Sequence, residues 1–198
     1  MAQQLFRRRL GEMLLEDRRI DGDELLKALN YSEKNSIPLG RSLLALGLID
    51  KEVLALYLEK QLGESLVERS IMNHAQLEDA FSRAQSSGIT FGQIIVRLGY
   101  LTDENLAELI AEDYDLPCIH FRNLNVDKAV AGLISREQAL KTLFLPVEKD
   151  GEVLTVATAR PFDELAVSEL EAISGLKIGL LVVPEHELSF GIRQYLTE

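Results

Sequence analysis

Residues 38–61 read PLGRSLLALGLIDKEVLALYLEKQ, a stretch that predicts two short helices joined by a tight turn. Leucines give the first helix an apolar face, and the second helix carries apolar side chains at helical spacing. Gly47 suits the left-handed backbone conformation that ends many helices, and Asp50 is a residue type that caps the next helix. Neither helix can bury its apolar surface alone, so the unit requires neighbours.

Three further copies of this unit lie in register with it. The register is set by four glycines that each follow an apolar residue: Gly11, Gly40, Gly63 and Gly92. Ten positions after each glycine stands a residue type that caps helices, namely Asp21, Asp50, Asn73 and Thr102. Apolar residues recur fourteen and eighteen positions after each glycine. The spacing predicts an array of four helix pairs that buries its core by stacking.

The copies are unevenly spaced. The glycines are separated by 29, 23 and 29 residues (11 to 40, 40 to 63 and 63 to 92), so the larger unit is a pair of copies. The shorter middle step predicts helices over 50–62 and 73–87 with only a short turn, over 64–69, between them. Gly99 matches Gly47, but Arg18 and Ser70 occupy the same position in the other copies. Those two helix ends must turn at some strain or by another route.

The pattern changes at residues 115–117, where Pro117 disfavours helix at the residue before it. Strands are predicted over 143–148, 152–157 and 177–183, and Asp150-Gly151 is a strong signal for a hairpin turn. A helix is predicted from Pro161 to the closing Gly175. The predicted fold class is α+β: an all-helical repeat domain over 1–114, then a small three-stranded α+β domain over 115–198.

Composition excludes several classes of protein. The net charge of −11 over 198 residues argues against broad nucleic-acid binding and against adsorption to an anionic membrane. The single cysteine, Cys118, cannot form an internal disulfide, which suits the cytosol. No apolar run is long enough to span a bilayer. We therefore expect a cytoplasmic protein without direct membrane insertion.

Signatures of catalysis are absent from the sequence. There is no G-x-x-x-x-G-K-[ST] phosphate-binding loop and no G-x-S-x-G nucleophile motif. The three histidines are dispersed, and Cys118 near His120 does not match a metal pattern. We expect no enzyme activity, no catalytic residue, no metal site and no cofactor.

Five arginines form a positive cluster near the N-terminus of this acidic chain: Arg7, Arg8, Arg9, Arg18 and Arg19. They are compatible with a solvated helix face. They are equally compatible with an anion site, because arginine forks match phosphate oxygens and stack on planar bases.

Residues 9–32 and 38–61 carry two tandem motifs, whose complete form is RLG-x-x-apolar-apolar-x-x-G-apolar-apolar followed by L-x-x-x-L-x-x-Q. These motifs resemble those of the N-terminal domain of type II secretion and type IV pilus assembly ATPases, the GspE N-terminal or MshEN family. Further marks of that family are Asp115-Leu116-Pro117, Leu145-Pro146-Val147, Leu154-Thr155-Val156-Ala157, Arg160-Pro161 and Ser174-Gly175-Leu176. The resemblance covers essentially the whole chain.

The resemblance implies a ligand, because members with intact motifs bind cyclic di-GMP. It places the binding site on Arg9, Leu10, Gly11, Leu25, Leu29, Leu39, Gly40, Leu54, Leu58 and Gln61. The leucines would provide apolar walls for the guanines. Arg9 would pair with a phosphate or stack on a guanine, and Gln61 would hydrogen-bond a base or phosphate. The alternative is that leucines at helical spacing form only a core. If the ligand binds, it is predicted to lie against the first two copies, because Asp113 in the fourth would repel a phosphate.

The motifs depart from the family pattern at three positions, with Arg18 for glycine, Ser32 for glutamine and Pro38 for arginine. Two functions therefore stay open. In the first, the chain is a non-catalytic regulatory module that binds cyclic di-GMP and acts on an attached ATPase domain. In the second, it is a ligand-free docking domain that couples such an ATPase to proteins of the secretion or pilus machinery.

Overall fold

The structure, a computed structural model, describes residues 10–196. The backbone divides into two units, Met1–Tyr100 and Leu101–Glu198. Helices dominate the described residues up to 143, and the three strands all follow that point. The α+β fold class is confirmed, with an all-helical part first and a three-stranded sheet after it.

The first unit is built from six helices within its described part. They are α1 (residues 10–16), α2 (Gly22–Asn35), α3 (Leu39–Ala45), α4 (Lys51–Glu68), α5 (His74–Ser87) and α6 (Phe91–Arg97). Helix α7 (Asp103–Tyr114) completes the fourth copy of the repeat, but it falls in the second unit. The sequence predicts a domain boundary after residue 114, and that boundary stays a prediction.

The predicted N-caps recur in all four copies. Each cap side chain accepts a hydrogen bond from the backbone N–H three residues later, in the pairs Asp21–Glu24, Asp50–Val53, Asn73–Gln76 and Thr102–Asn105. At the first and third copies, the side chain of the third residue also bonds back to the cap, which completes a capping box. Each cap satisfies an amide that the helix itself leaves unpaired.

The helix ends recur as well. Seven positions after each register glycine, the backbone is left-handed, at Arg18, Gly47, Ser70 and Gly99 (φ 53°, 65°, 57° and 76°). The next N–H bonds back to the carbonyl five residues earlier in every copy, in the pairs Arg19–Leu14, Leu48–Leu43, Ile71–Leu66 and Tyr100–Ile95. This is the Schellman arrangement. Two copies therefore accept the strain of a side chain in a position that favours glycine.

The short turn predicted over 64–69 is wrong, because helix α4 occupies most of that range. It runs without interruption through Gly63 to Glu68, so no separate turn lies over 64–69. The second helix of copy two and the first helix of copy three are one helix. The middle step is six residues shorter than the others (23 against 29), so the chain has no length for a turn between them.

Gly63 is a packing glycine within this helix. A methyl group added there would overlap a δ-carbon of Leu77 and would lie 3.1 Å from the Phe81 ring. Gly11 has the same relation to Leu25, whose δ-carbon would lie 2.9 Å away. Both contacts join positions zero and fourteen of the repeat, so the two helices of a copy approach most closely where the glycine stands.

We expect Gly63→Ala to destabilise the first unit. Alanine normally stabilises a helix by about 1 kcal/mol relative to glycine, but overpacking costs about 1–3 kcal/mol. The net loss should therefore be about 1 kcal/mol. Urea unfolding measures it, with Gly22→Ala as the control because a methyl group there meets nothing within 4 Å. A gain in stability for Gly63→Ala would contradict this close packing.

The second unit starts with α7 and contains the sheet. Its other elements are α8 (Lys128–Ala131), α9 (Arg136–Thr142), β1 (Phe144–Asp150), β2 (Val153–Thr158), α10 (Glu164–Ser174), β3 (Lys177–Val182) and α11 (Glu185–Tyr195). The strand order is β1-β2-β3, with β1 and β2 antiparallel and β2 and β3 parallel. The predicted hairpin at Asp150-Gly151 is confirmed, with Gly151 left-handed (φ 56°).

Two further features complete the second unit. The extended segment at residues 117–119 adds to the free edge of β3, where the Ile119 N–H bonds to the Val182 carbonyl at 2.9 Å. Helices α8 and α9 are separate, because Ser135 opens a new capping box with Gln138. The sheet and α9–α11 enclose a core that includes the fully buried Phe144, Leu145 and Leu154.

Candidate functional site

Most of the predicted ligand-binding residues lie in the core of the first unit. Seven of the ten are buried: Leu10, Gly11, Leu39, Gly40, Leu54, Leu58 and Gln61. Leu25 and Leu29, on α2, are half-buried. Arg9 lies outside the described residues. The structure therefore presents α2 as the surface on which predicted ligand residues are accessible, with Leu26 beside them at 56% exposure.

The two polar positions that the motifs share are both buried. Gln61 is 0% exposed within the unbroken helix α4. Ser32, which replaces the other glutamine, is 2% exposed, and its hydroxyl donates to the Ile37 carbonyl at 2.5 Å. This bond closes the end of α2, where Ser36 adopts a left-handed backbone (φ 52°). The departure at Ser32 thus gives the helix a side-chain bond at its C-terminus.

A groove of about 580 Å³ opens between α1, the second half of α4 and α5. Its acidic lining is Glu12, Glu16, Asp17, Glu64, Glu68 and Glu78, its basic lining is Lys60 and His74, and its apolar lining is Met13, Leu77 and Phe81. Within the part of the chain that the structure describes, Glu12, Glu16, Glu64 and Glu78 form no ion pair. The groove therefore attracts cations and repels phosphates.

At one end of the groove, hydrogen bonds from Tyr57 and Lys60 converge on Asp17. The hydroxyl of the buried Tyr57 donates to Asp17 Oδ2 at 2.5 Å, and Lys60 Nζ donates to the same oxygen at 3.0 Å. The bond from Tyr57, followed by that from Lys60, lowers the pKa of Asp17 below its usual value. Burial and the Asp17 bond raise the pKa of Tyr57. Asp17 is thus held ionised and joins the end of α1 to α4.

The sequence contained a signal for this groove. Glu12 and Glu64 stand one position after their register glycines, and Glu16 and Glu68 stand five positions after them. The pattern recurs after 52 residues, the length of a pair of copies. The two walls of the groove are therefore equivalent positions of the repeat, and solvated acidic residues are so common that this recurrence carries little weight before the fold is known.

Residues 10–196 contain neither a metal-binding cluster nor a membrane-spanning helix. In that range no group of three or more histidine, cysteine, aspartate or glutamate side chains is arranged to hold a metal ion. None of the described helices is both long enough and apolar enough to cross a membrane.

Comparison with known proteins shows what the chain resembles. Residues 114–197 match the MshEN domain. The type IV pilus assembly ATPase PilB of Myxococcus xanthus (strain DK1622) is 29% identical over 138 residues, which make up 70% of this chain and 24% of that ATPase. The chain thus spans about a quarter of the length of this relative, and the match does not reach most of the ATPase.

Two solved structures resemble this chain in both sequence and fold. MshE, whose structure was determined with cdg (cyclic di-GMP), is 28% identical with a TM-score of 0.57, and the match covers 68% of this chain and 97% of the MshE chain. The N-terminal domain of XpsE is 25% identical with a TM-score of 0.58, covering 70% of this chain and 96% of that domain. The resemblance to the N-terminal domain of secretion and pilus assembly ATPases is confirmed, with residues 114–197 matching the MshEN domain.

Proposed function

We propose that the chain is a non-catalytic regulatory module that binds cyclic di-GMP through the tandem motifs at 9–32 and 38–61. The observation that carries this proposal is the likeness to MshE, a structure determined with cyclic di-GMP, of which 97% is covered by the match. The relative PilB is an ATPase of which this chain covers 24%. The module would therefore act on an attached or partner ATPase domain.

Burial decides which of the predicted residues meet the ligand. The buried leucines support the site from below, and the half-buried Leu25 and Leu29 offer an apolar edge on α2. Exposed Leu26 extends that edge. A guanine ring gains from covering such a surface at roughly 25 cal/mol per Å² of apolar area. None of these three leucines lines the acidic groove, so a phosphate bound beside them avoids its carboxylates.

We expect Arg9→Ala to weaken cyclic di-GMP binding at least tenfold at fixed salt, because a charge-assisted hydrogen bond contributes about 1.5–3 kcal/mol. Arg97→Ala is the matched control, since it removes the same charge from an exposed position in the fourth copy. Isothermal titration calorimetry of the parent and both variants measures the difference. The melting temperature of each variant should stay close to that of the parent.

Each outcome of this titration has a consequence. Absence of saturable binding at tens of micromolar would overturn the proposal. Tight binding that Arg9→Ala leaves unchanged would place the site elsewhere, and a loss in Arg97→Ala alone would place it on the fourth copy. Gln61→Ala is unsuited as the diagnostic variant, because replacing a fully buried side chain changes folding and binding together.

A second candidate function is ligand-free docking onto a protein of the secretion or pilus machinery. Two observations favour it: seven predicted ligand residues are buried, and the first unit has an acidic groove whose lining includes apolar side chains. In this case the leucines are only core, and the partner would present lysine or arginine side chains to Glu12 and Glu64. Failure of cyclic di-GMP to bind, with the fold intact, would favour docking over the regulatory module.

A further inference from the structure

We propose that His186 is a proton-operated clamp between the starts of α7 and α11. When its imidazole is charged, it holds the two helix starts together; when the imidazole is neutral, the hold weakens. The proposal rests on contacts within the second unit and is independent of the ligand.

The first turn of α11 lacks a cap of its own. The residue before the helix is Pro184, which offers no side-chain hydrogen bond. Asp103, in the first turn of α7, replaces that cap from another helix. Its Oδ2 accepts the His186 backbone N–H at 3.0 Å and also accepts a hydrogen bond from the imidazole Nδ1. One carboxylate oxygen therefore satisfies a helix amide and a titratable side chain at once.

Further acidic groups surround this contact. Glu104, also on α7, places Oε1 3.9 Å from the imidazole Nε2. Glu187 follows His186 on α11, and its carboxylate accepts from His120 Nδ1 at 2.8 Å and from the Phe121 N–H at 2.7 Å. The charged groups that act on the imidazole are thus Asp103 and Glu104 from α7 and Glu187 from its own helix.

These groups bias the imidazole toward its charged form. The hydrogen bond to Asp103 contributes most, and the pKa of His186 is raised above its usual value despite partial burial. A raised pKa in the folded state stabilises the fold fully below pH about 6.5, the unperturbed value. That stabilisation is lost as the pH rises through the folded pKa. The clamp is therefore closed on the acid side of neutrality and weakened on the alkaline side.

Loss of the proton weakens the clamp without removing it. The neutral imidazole can keep the proton on Nδ1 and still donate to Asp103, but the bond is then no longer charge-assisted. The neutral imidazole also loses its electrostatic attraction to Glu104, whose Oε1 lies 3.9 Å from Nε2. Because the His186 side chain is 59% exposed, solvent screens the pair, and we expect about a two- to fivefold change in the opening equilibrium.

The Glu187 carboxylate determines the pH below which the first turn of α11 loses its other stabilising contacts. Partial burial raises its pKa, but the bonds from His120 and Phe121 outweigh that effect and hold the pKa below the usual value. A lowered pKa stabilises the fold above pH about 4.5 and loses that effect as the pH falls. Both contacts of the α11 start are therefore at full strength between about pH 4.5 and 6.5.

The clamp is tested by NMR on the full chain between pH 5 and 8.5. The imidazole signal of His186 should titrate with a midpoint above 6.5. After correction for the intrinsic pH dependence of exchange, the amides of the first turn of α11 should be about two- to fivefold better protected at pH 5.5 than at pH 8.

Asp103→Asn removes the negative charge beside His186 but keeps the cap, because an asparagine oxygen can still accept from the His186 amide. This variant should stay folded, lower the His186 midpoint toward 6.5 and lose the pH-dependent protection. Glu104→Gln should lower the midpoint by less. His74→Ala, in the first unit, should leave both measurements unchanged.

Two results would overturn the proposal. The first is equal protection of the α11 start at pH 5.5 and pH 8 in the parent chain. The second is a His186 midpoint that Asp103→Asn does not move.

Discussion

Leu77→Ala and Leu106→Ala should each lower the free energy of unfolding by about 2–5 kcal/mol. These leucines occupy the same position of the repeat, fourteen residues after a register glycine, and they are 5% and 6% exposed. Truncation removes apolar contacts and leaves a cavity that the neighbouring helices fill only in part. A loss of this size is a large share of the 5–15 kcal/mol typical of a folded domain.

The chain offers a matched control for this prediction. Leu26 on α2 is 56% exposed, so Leu26→Ala removes the same atoms with a change of about 0.5 kcal/mol or less. Urea unfolding monitored by circular dichroism compares the three variants. Because Leu77 and Leu106 fall in different units, a chain that unfolds in two steps should show each loss in a different step. Parent-like unfolding of Leu106→Ala would mean that the repeat register is wrong at the fourth copy.

Gly191→Ala should destabilise the second unit by about 1–3 kcal/mol, although alanine is the better helix former. Gly191 is buried in α11, and a methyl group there would overlap several atoms of the Phe121 ring. That ring also packs edge-on against Tyr195, with ring centroids 5.9 Å apart. The Phe121 ring is rigid and is held by this packing, so the ring or the helix must shift.

A double-mutant cycle isolates this contact. Phe121→Leu alone removes part of a buried ring and should be destabilising. Combined with Gly191→Ala it should cost less than the sum of the two single losses, because the smaller side chain leaves room for the methyl group. Additive losses, or a Gly191→Ala variant as stable as the parent, would show that the ring does not cover the glycine.

The sequence predicted the local features of the fold accurately. The four N-caps, the four helix ends and the hairpin at Gly151 all depend on hydrogen bonds between residues at most five positions apart. Such bonds are set by residue type at fixed offsets, so the sequence shows them directly. The apolar spacing likewise predicted the buried residues fourteen positions after three of the register glycines: Leu54, Leu77 and Leu106.

The candidate site was less predictable, because motif residues and core residues have the same spacing. The sequence names Leu25, Leu29, Leu54 and Leu58 alike, but the structure buries the second pair and leaves the first pair half-exposed. Exposure depends on which helices pack on each face. That is a property of neighbours distant in the chain, which a motif does not contain.

By itself, then, the sequence determined the helix pairs, their caps and turns, the α+β class and the family resemblance, since these follow from short-range hydrogen bonds and periodicity. Only the tertiary structure decided that α4 passes unbroken through Gly63, that Gln61 is buried, and that repeat-equivalent glutamates face one groove. It alone brought Asp103 to the uncapped start of α11, 83 residues away. Contacts over such separations depend on how whole helices stack, and stacking is decided by the summed burial of many side chains.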